Sequence, residues 1–260
     1  MVKPGCSEKM SETGVEASED GLMGGRARLR QPVGGYRAGM DAALLAAACD
    51  AGDGERVLEA GCGAGAVLLM AAVRRPGARF LGVERDPAAL EFAIGNIALN
   101  HLEGRVGAAP ADVEAGFAAS GLAGGFDAAL ANPPFFDDAR ALRGPAPAKR
   151  GAWIAEGGLA AWTDFLTLAV RDGGSVTLIH RADRLGDLLD LLGRRAGSFQ
   201  VRPVHPFADA PAGRVLVRAI RGGRAPLKLL PPLVLHPRDG AKHTAEAEAI
   251  LRGEAGLAWL

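Results

Sequence analysis

Residues 56–100 constrain the fold more than any other part of the chain. Arg56-Val57-Leu58-Glu59-Ala60 reads as a strand and Ala66 to Arg74 as a helix, with Gly61-Cys62-Gly63-Ala64-Gly65 between them. A strand over Ala78 to Glu84 and a helix over Pro87 to Asn100 follow. Asp86 is a good N-cap there, and Pro87 occupies the first helical position. Strand, glycine loop and helix in that order belong to doubly wound sheets, which bind ligands outside the carboxyl ends of their strands.

The alternation continues. Arg105 to Ala111 is a weakly marked third strand and Phe126 to Ala131 a fourth. Leu159 to Val170 reads as a helix, Gly174 to His180 as a strand and Arg184 to Arg194 as a helix. Phe199 to His205 and Arg214 to Ile220 are joined by a short loop, so they form an antiparallel pair. Upstream, Asp41 to Cys49 is helical; downstream, Leu229 to Leu235 is extended and Thr244 to Arg252 is a short helix. Repeating units of about 25 residues predict an α/β, Rossmann-like fold. Its sheet is seven-stranded and mostly parallel, with helices on both faces.

A hydrophobic content of 48% supplies a core for one domain over residues 26–260. Residues 1–25 carry Lys3 and Lys9 against Glu8, Glu12, Glu16, Glu19 and Asp20, and are expected to be a disordered acidic leader. No apolar stretch approaches the roughly 20 residues of a membrane span. No secretory h-region is visible either. Cys6, Cys49 and Cys62 have neither metal spacing nor a disulfide framework, and the five histidines are scattered. A cytoplasmic, metal-free protein is expected. Residues 214–242 hold seven Lys and Arg against Asp239, either a phosphate-binding stretch or a solvated rim of strand ends.

Gly61, Gly63 and Gly65 let a ligand approach the backbone, and Glu84 stands about 20 residues on, where a carboxylate accepts ribose hydroxyls. These features suit any adenosine-containing cofactor, since Gly61-x-Gly63-x-x-Ala66 also satisfies a dinucleotide fingerprint. Glu59, two residues before the first glycine, suits an amino-acid ammonium better than a pyrophosphate, which favours S-adenosylmethionine. Asp112 follows the third strand, where it meets an adenine or simply closes a turn.

Asn132-Pro133-Pro134-Phe135 ends the fourth strand. Each proline fixes its own φ and restricts the residue before it, so Asn132 is held extended. Acceptor oxygens on a stiffened turn beside an aromatic ring suit a planar group bearing an NH2. The segment that follows carries Arg140, Arg143, Lys149, Arg150 and Trp153. These residues either grip substrate phosphates and stack a base, or form a proline-rich connection.

Taken together, the acid-x-Gly-x-Gly-x-Gly loop, the Glu84 acid and Asn-Pro-Pro-Phe resemble class I methyltransferases that modify nitrogen in planar groups. Gln31-Pro32-Val33-Gly34-Gly35-Tyr36-Arg37-Ala38-Gly39-Met40-Asp41-Ala42 is similar to the entry motif of the bacterial tRNA1(Val) adenine-37 N6-methyltransferases. The ending, His236-x-x-Asp239-Gly240 with Thr244-x-Glu246-Ala247, is similar too. The resemblance implies S-adenosylmethionine as cofactor and tRNA as partner. It also implies Asn132, Pro133, Pro134 and Phe135 as the catalytic turn, with Tyr36 and Arg37 over the cofactor's mouth. Asn-Pro-Pro-Phe also occurs in ribosomal-RNA guanine N2-methyltransferases. The release-factor glutamine N5-methyltransferases are similar as well. Those usually carry Tyr for Phe135 and a separate N-terminal helical domain, for which little sequence precedes Gly61.

Overall fold

A computed structural model describes residues 9–10, 16–33, 37–135 and 158–260. Among them, β1 (Lys9–Met10), β2 (Glu16–Leu22) and β3 (Ala27–Pro32) form a small antiparallel sheet. Helix α1 (Met40–Ala47) leads into β4 (Arg56–Ala60), α2 (Ala66–Arg74), β5 (Arg79–Glu84), α3 (Pro87–Leu99), β6 (Val106–Pro110) and β7 (Phe126–Ala131). After the Asn132–Phe135 turn come α4 (Gly158–Ala169), β8 (Val170–Arg181), α5 (Leu185–Gly193), β9 (Ala196–His205) and β10 (Arg214–Arg221). The two-residue strands β11 (Lys228–Leu229) and β12 (Leu233–Val234) precede α6 (Ala245–Leu251).

The seven longer strands of the main sheet run β9-β10-β8-β7-β4-β5-β6. β8, β7, β4, β5 and β6 are mutually parallel. β10 slots antiparallel between β8 and β9, as the short link between the last two strands predicts. The expected extended segment near 229–235 is two short pieces, both parallel to β9.

Alternation along the strands explains the layering. Val57, Phe80, Ala128, Leu130 and Ile179 pack with α1, α2 and the end of α6 on one face. Leu58, Ala60, Val83, Ala129, Ala131 and Leu178 pack with α4 and α5 on the other. Glu59 shares its strand parity with Val57 and is carried into the interior by this register.

The acidic leader needs correction where it is described. Residues 16–22 form β2, paired residue by residue with β3. Glu19 lies between Arg28 (2.7 Å) and Arg30 (2.9 Å), and the Arg30 hydrogen bond leads in holding its carboxyl below the usual range. The charge that suggested disorder is the counter-charge of the neighbouring strand. Composition alone treats the acids as unpaired, whereas the hairpin turn at Met23–Gly25 brings them opposite arginines.

The hairpin is fastened by two asparagines four residues apart, Asn96 on α3 and Asn100 at its C-cap. Asn96 accepts from Arg30 N (2.7 Å) and donates to Arg30 O (2.7 Å) and Ala64 O (2.9 Å). Asn100 repeats the two-way pairing with Arg28. Each amide thus imitates a strand partner, and Asn96 also ties the hairpin to the glycine loop. Asn96 is fully buried, so Asn96→Ala strands three polar backbone groups. The expected cost is about 3 kcal/mol, or roughly 6–12 °C in Tm for a chain of this size. Thermal unfolding followed by circular dichroism measures it; a loss under about 1 kcal/mol would mean that the hairpin is held by its packing alone.

Candidate active site

The strand register assembles the site. Ala60 of β4 lies level with Ala131 of β7 and with Val83 of β5, and Glu84 lies level with Pro110 of β6. Asn132, Gly61, Glu84 and Pro110 therefore form a row across four strand ends. The row straddles β4, where the chain turns from building one side of the sheet to building the other. This is the crevice that open α/β sheets offer to ligands.

A cleft of about 1220 Å³ opens there. Pockets for one small ligand usually measure about 300–1,000 Å³, so this one holds a cofactor-sized molecule with space beside it. Arg37, Glu59, Gly61, Gly63, Glu84 and Asp112 line it, and Asn132 to Phe135 form one wall. Tyr36, Arg140, Arg143, Lys149, Arg150 and Trp153 lie outside the described residues.

Gly61 has φ +67°, and a Cβ there would stand 2.5 Å from Cη2 of Trp162. The loop can turn under the indole only because that carbon is missing. Gly65 does not line the cleft; it caps α2 in the left-handed conformation and packs on Ala93. Trp162, on α4, went unnoticed in the sequence because its helical spacing reads as core. It is both core and cleft wall, and its Nε1 is buried with no hydrogen-bond partner among the described residues.

Glu84 does more than wait for a ligand. Its Oε2 accepts from Gly63 N, and its Oε1 accepts from the Arg85 and Asp86 amides, all at 2.9 Å. Three amides fix the carboxylate against the glycine loop and leave its remaining lone pairs for the cleft. Asp112 does close a turn, accepting from Glu114 N at 2.9 Å, and it still lines the cleft. Arg37 donates to Ser18 Oγ (2.7 Å) and to Asp20 (2.5 Å), so its guanidinium is anchored to β2 at the cleft's rim.

Glu59 is only 3% exposed. Burial first, and the neighbouring Glu84 charge after it, push its carboxyl well above the usual range against a hydrogen bond from the Leu68 amide. Its Oε2 has no hydrogen-bond partner among the described residues. Burial also pushes the Cys62 thiol up, which keeps it protonated and unreactive. Beyond the strand ends, His180 Nε2 lies 3.4 Å from the Pro134 carbonyl, and the His180 and Phe135 rings meet edge-on at 5.5 Å.

The basic stretch 214–242 is largely neutralised. Arg214 pairs with Asp41, Arg218 with Asp50, Arg221 with Asp172 and Arg238 with Asp209. It is mostly a paired rim of strand ends, the second of the two readings. Among the described residues no helix is long and apolar enough to cross a membrane, and no group of His, Cys, Asp and Glu could hold a metal ion.

A solved structure described as a predicted O-methyltransferase of Agrobacterium tumefaciens superposes with a TM-score of 0.71 at 27% identity, covering 84% of this chain and 99% of its own. The fold is that of a class I methyltransferase. Residues 37–143 match the methyltransferase small domain family, spanning the glycine loop and the Asn132 turn. A tRNA1(Val) (adenine(37)-N6)-methyltransferase of Flavobacteriaceae bacterium (strain 3519-10) is 34% identical over 102 residues, 39% of this chain and 42% of that protein. A release factor glutamine methyltransferase of Rhodospirillum rubrum is 31% identical over 192 residues, 62% of this chain and 57% of that one. The chain spans about half the length of these curated relatives.

S-adenosylmethionine is the cofactor of this methyltransferase fold, and the residues present fit it. The glycine loop leaves room for backbone approach, Glu84 is a preset carboxylate for hydroxyls, and Glu59 offers an orphaned buried oxygen to an ammonium.

Proposed function

We propose that the chain transfers a methyl group from S-adenosylmethionine to the exocyclic nitrogen of an adenine in tRNA, at adenosine 37 of tRNA1(Val). The observation that carries this reading is the Asn132–Phe135 turn, set by strand register beside Gly61 in a cleft with space beyond the cofactor. The tRNA1(Val) relative supports the substrate.

When bound, S-adenosylmethionine supplies an electrophilic methyl on its sulfonium. The chain's own residues prepare the nucleophile. The NH2 of an adenine is a poor nucleophile because its lone pair is delocalised into the ring. Asn132 Oδ1 and the Pro133 carbonyl accept its two protons as hydrogen bonds and draw the nitrogen toward sp3, freeing the lone pair. Phe135 sets the plane of the base. Asn132, Pro133 and Phe135 would present this nitrogen to the methyl that the cofactor would supply, and the surplus proton of the alkylated amine would pass to water. Holding the two reactants at contact distance supplies much of the rate. A base in a single-stranded loop is cheaply extruded to reach the turn.

A second reading, N5-methylation of a release-factor glutamine, is favoured by the longer alignment with the Rhodospirillum rubrum protein. A glutamine amide also presents a planar NH2 to the same turn. Labelled S-adenosylmethionine offered in parallel to unmodified tRNA, rRNA and release factor decides between them. The expected product is N6-methyladenosine in tRNA by nucleoside mass spectrometry. N2-methylguanosine in rRNA, or methylglutamine in protein, would keep the cofactor and overturn the substrate.

A further inference from the structure

Phe135, read as a stacking platform, already carries a guanidinium. The Arg214 Cζ lies 4.5 Å from the ring centroid. That separation is direct contact, so no base fits between them, and the acceptor must use the remaining surface of the ring. Arg214 is the first residue of β10 and lies level with Arg181 of β8 at the cleft end of the sheet.

The side chain is anchored on two of its three nitrogens. Nε donates to Asp41 Oδ2 at 3.0 Å, in the first turn of α1, and Nη1 donates to Gly213 O at 3.1 Å. Nη2 makes no hydrogen bond among the described residues, and the side chain is 33% exposed. The other three arginines lining the cleft are committed differently, Arg85 to the Glu114 carboxylate at 2.9 Å. Arg37 spends both terminal nitrogens on Ser18 and Asp20, and Arg181 holds Asp183 with Nε and Nη2. Arg214 thus combines three properties: contact with Phe135, anchoring at Nε and Nη1, and, in a residue that lines the cleft, an Nη2 without a hydrogen bond among the described residues.

We propose that Arg214 is an acceptor-positioning residue whose open Nη2 edge binds a phosphodiester flanking the base that stacks on Phe135. This rests on the nucleic-acid reading of the site. A planar base alone gives the ring no preferred azimuth. A phosphate on a guanidinium fixed to the same ring would turn the base so that its NH2 meets Asn132. Arginine suits this because its planar fork stacks and donates at once, which a lysine ammonium cannot do. Asp41 fixes the fork but also competes for its charge, so the phosphate contact is tuned by that carboxylate.

The test uses the full chain and a fluorescein-labelled single-stranded RNA of twelve nucleotides with one central adenine. Affinity is measured by anisotropy across a salt series. Arg214→Gln is expected to weaken binding about five- to tenfold at low salt and to flatten the slope of log K against log salt by about 0.7, the loss of one single-strand phosphate contact. S-adenosylmethionine affinity, read by calorimetry on the same samples, stays within twofold and certifies the fold. Arg214→Lys keeps the slope but lowers kcat, because the charge remains and the stack is lost. Asp41→Asn tightens RNA binding, whereas a purely structural ion pair would weaken it. An unchanged slope in Arg214→Gln, with RNA still bound and methylated by the wild type, would overturn the phosphate contact and leave the proposed function standing. A wild type that neither binds nor methylates RNA would remove both.

Discussion

Asn132→Ala should lower kcat by about 10³-fold, the scale of losing one preorganised hydrogen-bonding group at a reacting centre, while the affinity for S-adenosylmethionine changes by no more than a few-fold. The separation follows from where Asn132 sits. Its backbone continues β7, level with the glycine loop, and Pro133 and Pro134 hold the turn whatever side chain precedes them. Alanine therefore removes the acceptor oxygen without moving the cleft wall. The Pro133 carbonyl remains, so a residual rate well above background is expected. Asn132→Asp is the informative companion: it keeps an acceptor of the same shape but adds a charge beside the nucleophile. Single-turnover methyl transfer with calorimetric cofactor binding distinguishes the outcomes. Wild-type turnover in Asn132→Ala would remove this side chain from the mechanism. A parallel loss of cofactor affinity would reassign it to holding the cleft.

The residues that made this fold legible are those whose neighbours are local. Asp86 caps α3 through Ala88 N, and Thr244 caps α6 through Ala247 N, as short-range patterns require. The glycine loop, Glu84 and the Asn132 turn were legible as a site for a related reason. A parallel sheet brings successive strand ends into one row, so residues some 20 to 70 positions apart meet without any contact being known beforehand. Pairings that cross the topology were not legible. Asp41 and Arg214 stand 173 residues apart and meet only because β10 inserts next to β8 over α1. Trp162 over Gly61 joins a helix face to a loop, and its apolar spacing gives no hint of a cleft. The β2 acids mislead for the opposite reason, since their partners are close in sequence but a reading of composition never pairs them.

Glu59→Gln should stabilise the cofactor-free protein above the ordinary glutamate range and at the same time weaken S-adenosylmethionine about 10- to 100-fold, the value of a hydrogen bond to a charged group. The stability arm follows from linkage. Burial raises the carboxyl's pKa in the folded chain above its value in the unfolded one. Below the unfolded pKa both states hold the proton and the wild type suffers no penalty. As pH rises, the unfolded chain releases the proton first, so stability is progressively lost until the folded carboxyl also ionises. Glutamine cannot ionise and escapes this loss. The two proteins should converge in Tm near pH 4 and diverge in favour of the variant toward pH 8. The affinity arm runs the other way. A cofactor ammonium beside Glu59 favours the carboxylate, so binding drives the proton out of the wild type, and affinity rises with pH while the folded group is still protonated. Calorimetry in two buffers of different ionisation enthalpy reads that proton directly. Proton release in the wild type that vanishes in Glu59→Gln is the expected result. Equal release in both would mean that the ammonium sits elsewhere and that Glu59 is a buried structural acid. The stability that removing the charge would gain is thus given up at a carboxylate that keeps one oxygen, Oε2, without a hydrogen-bond partner among the described residues.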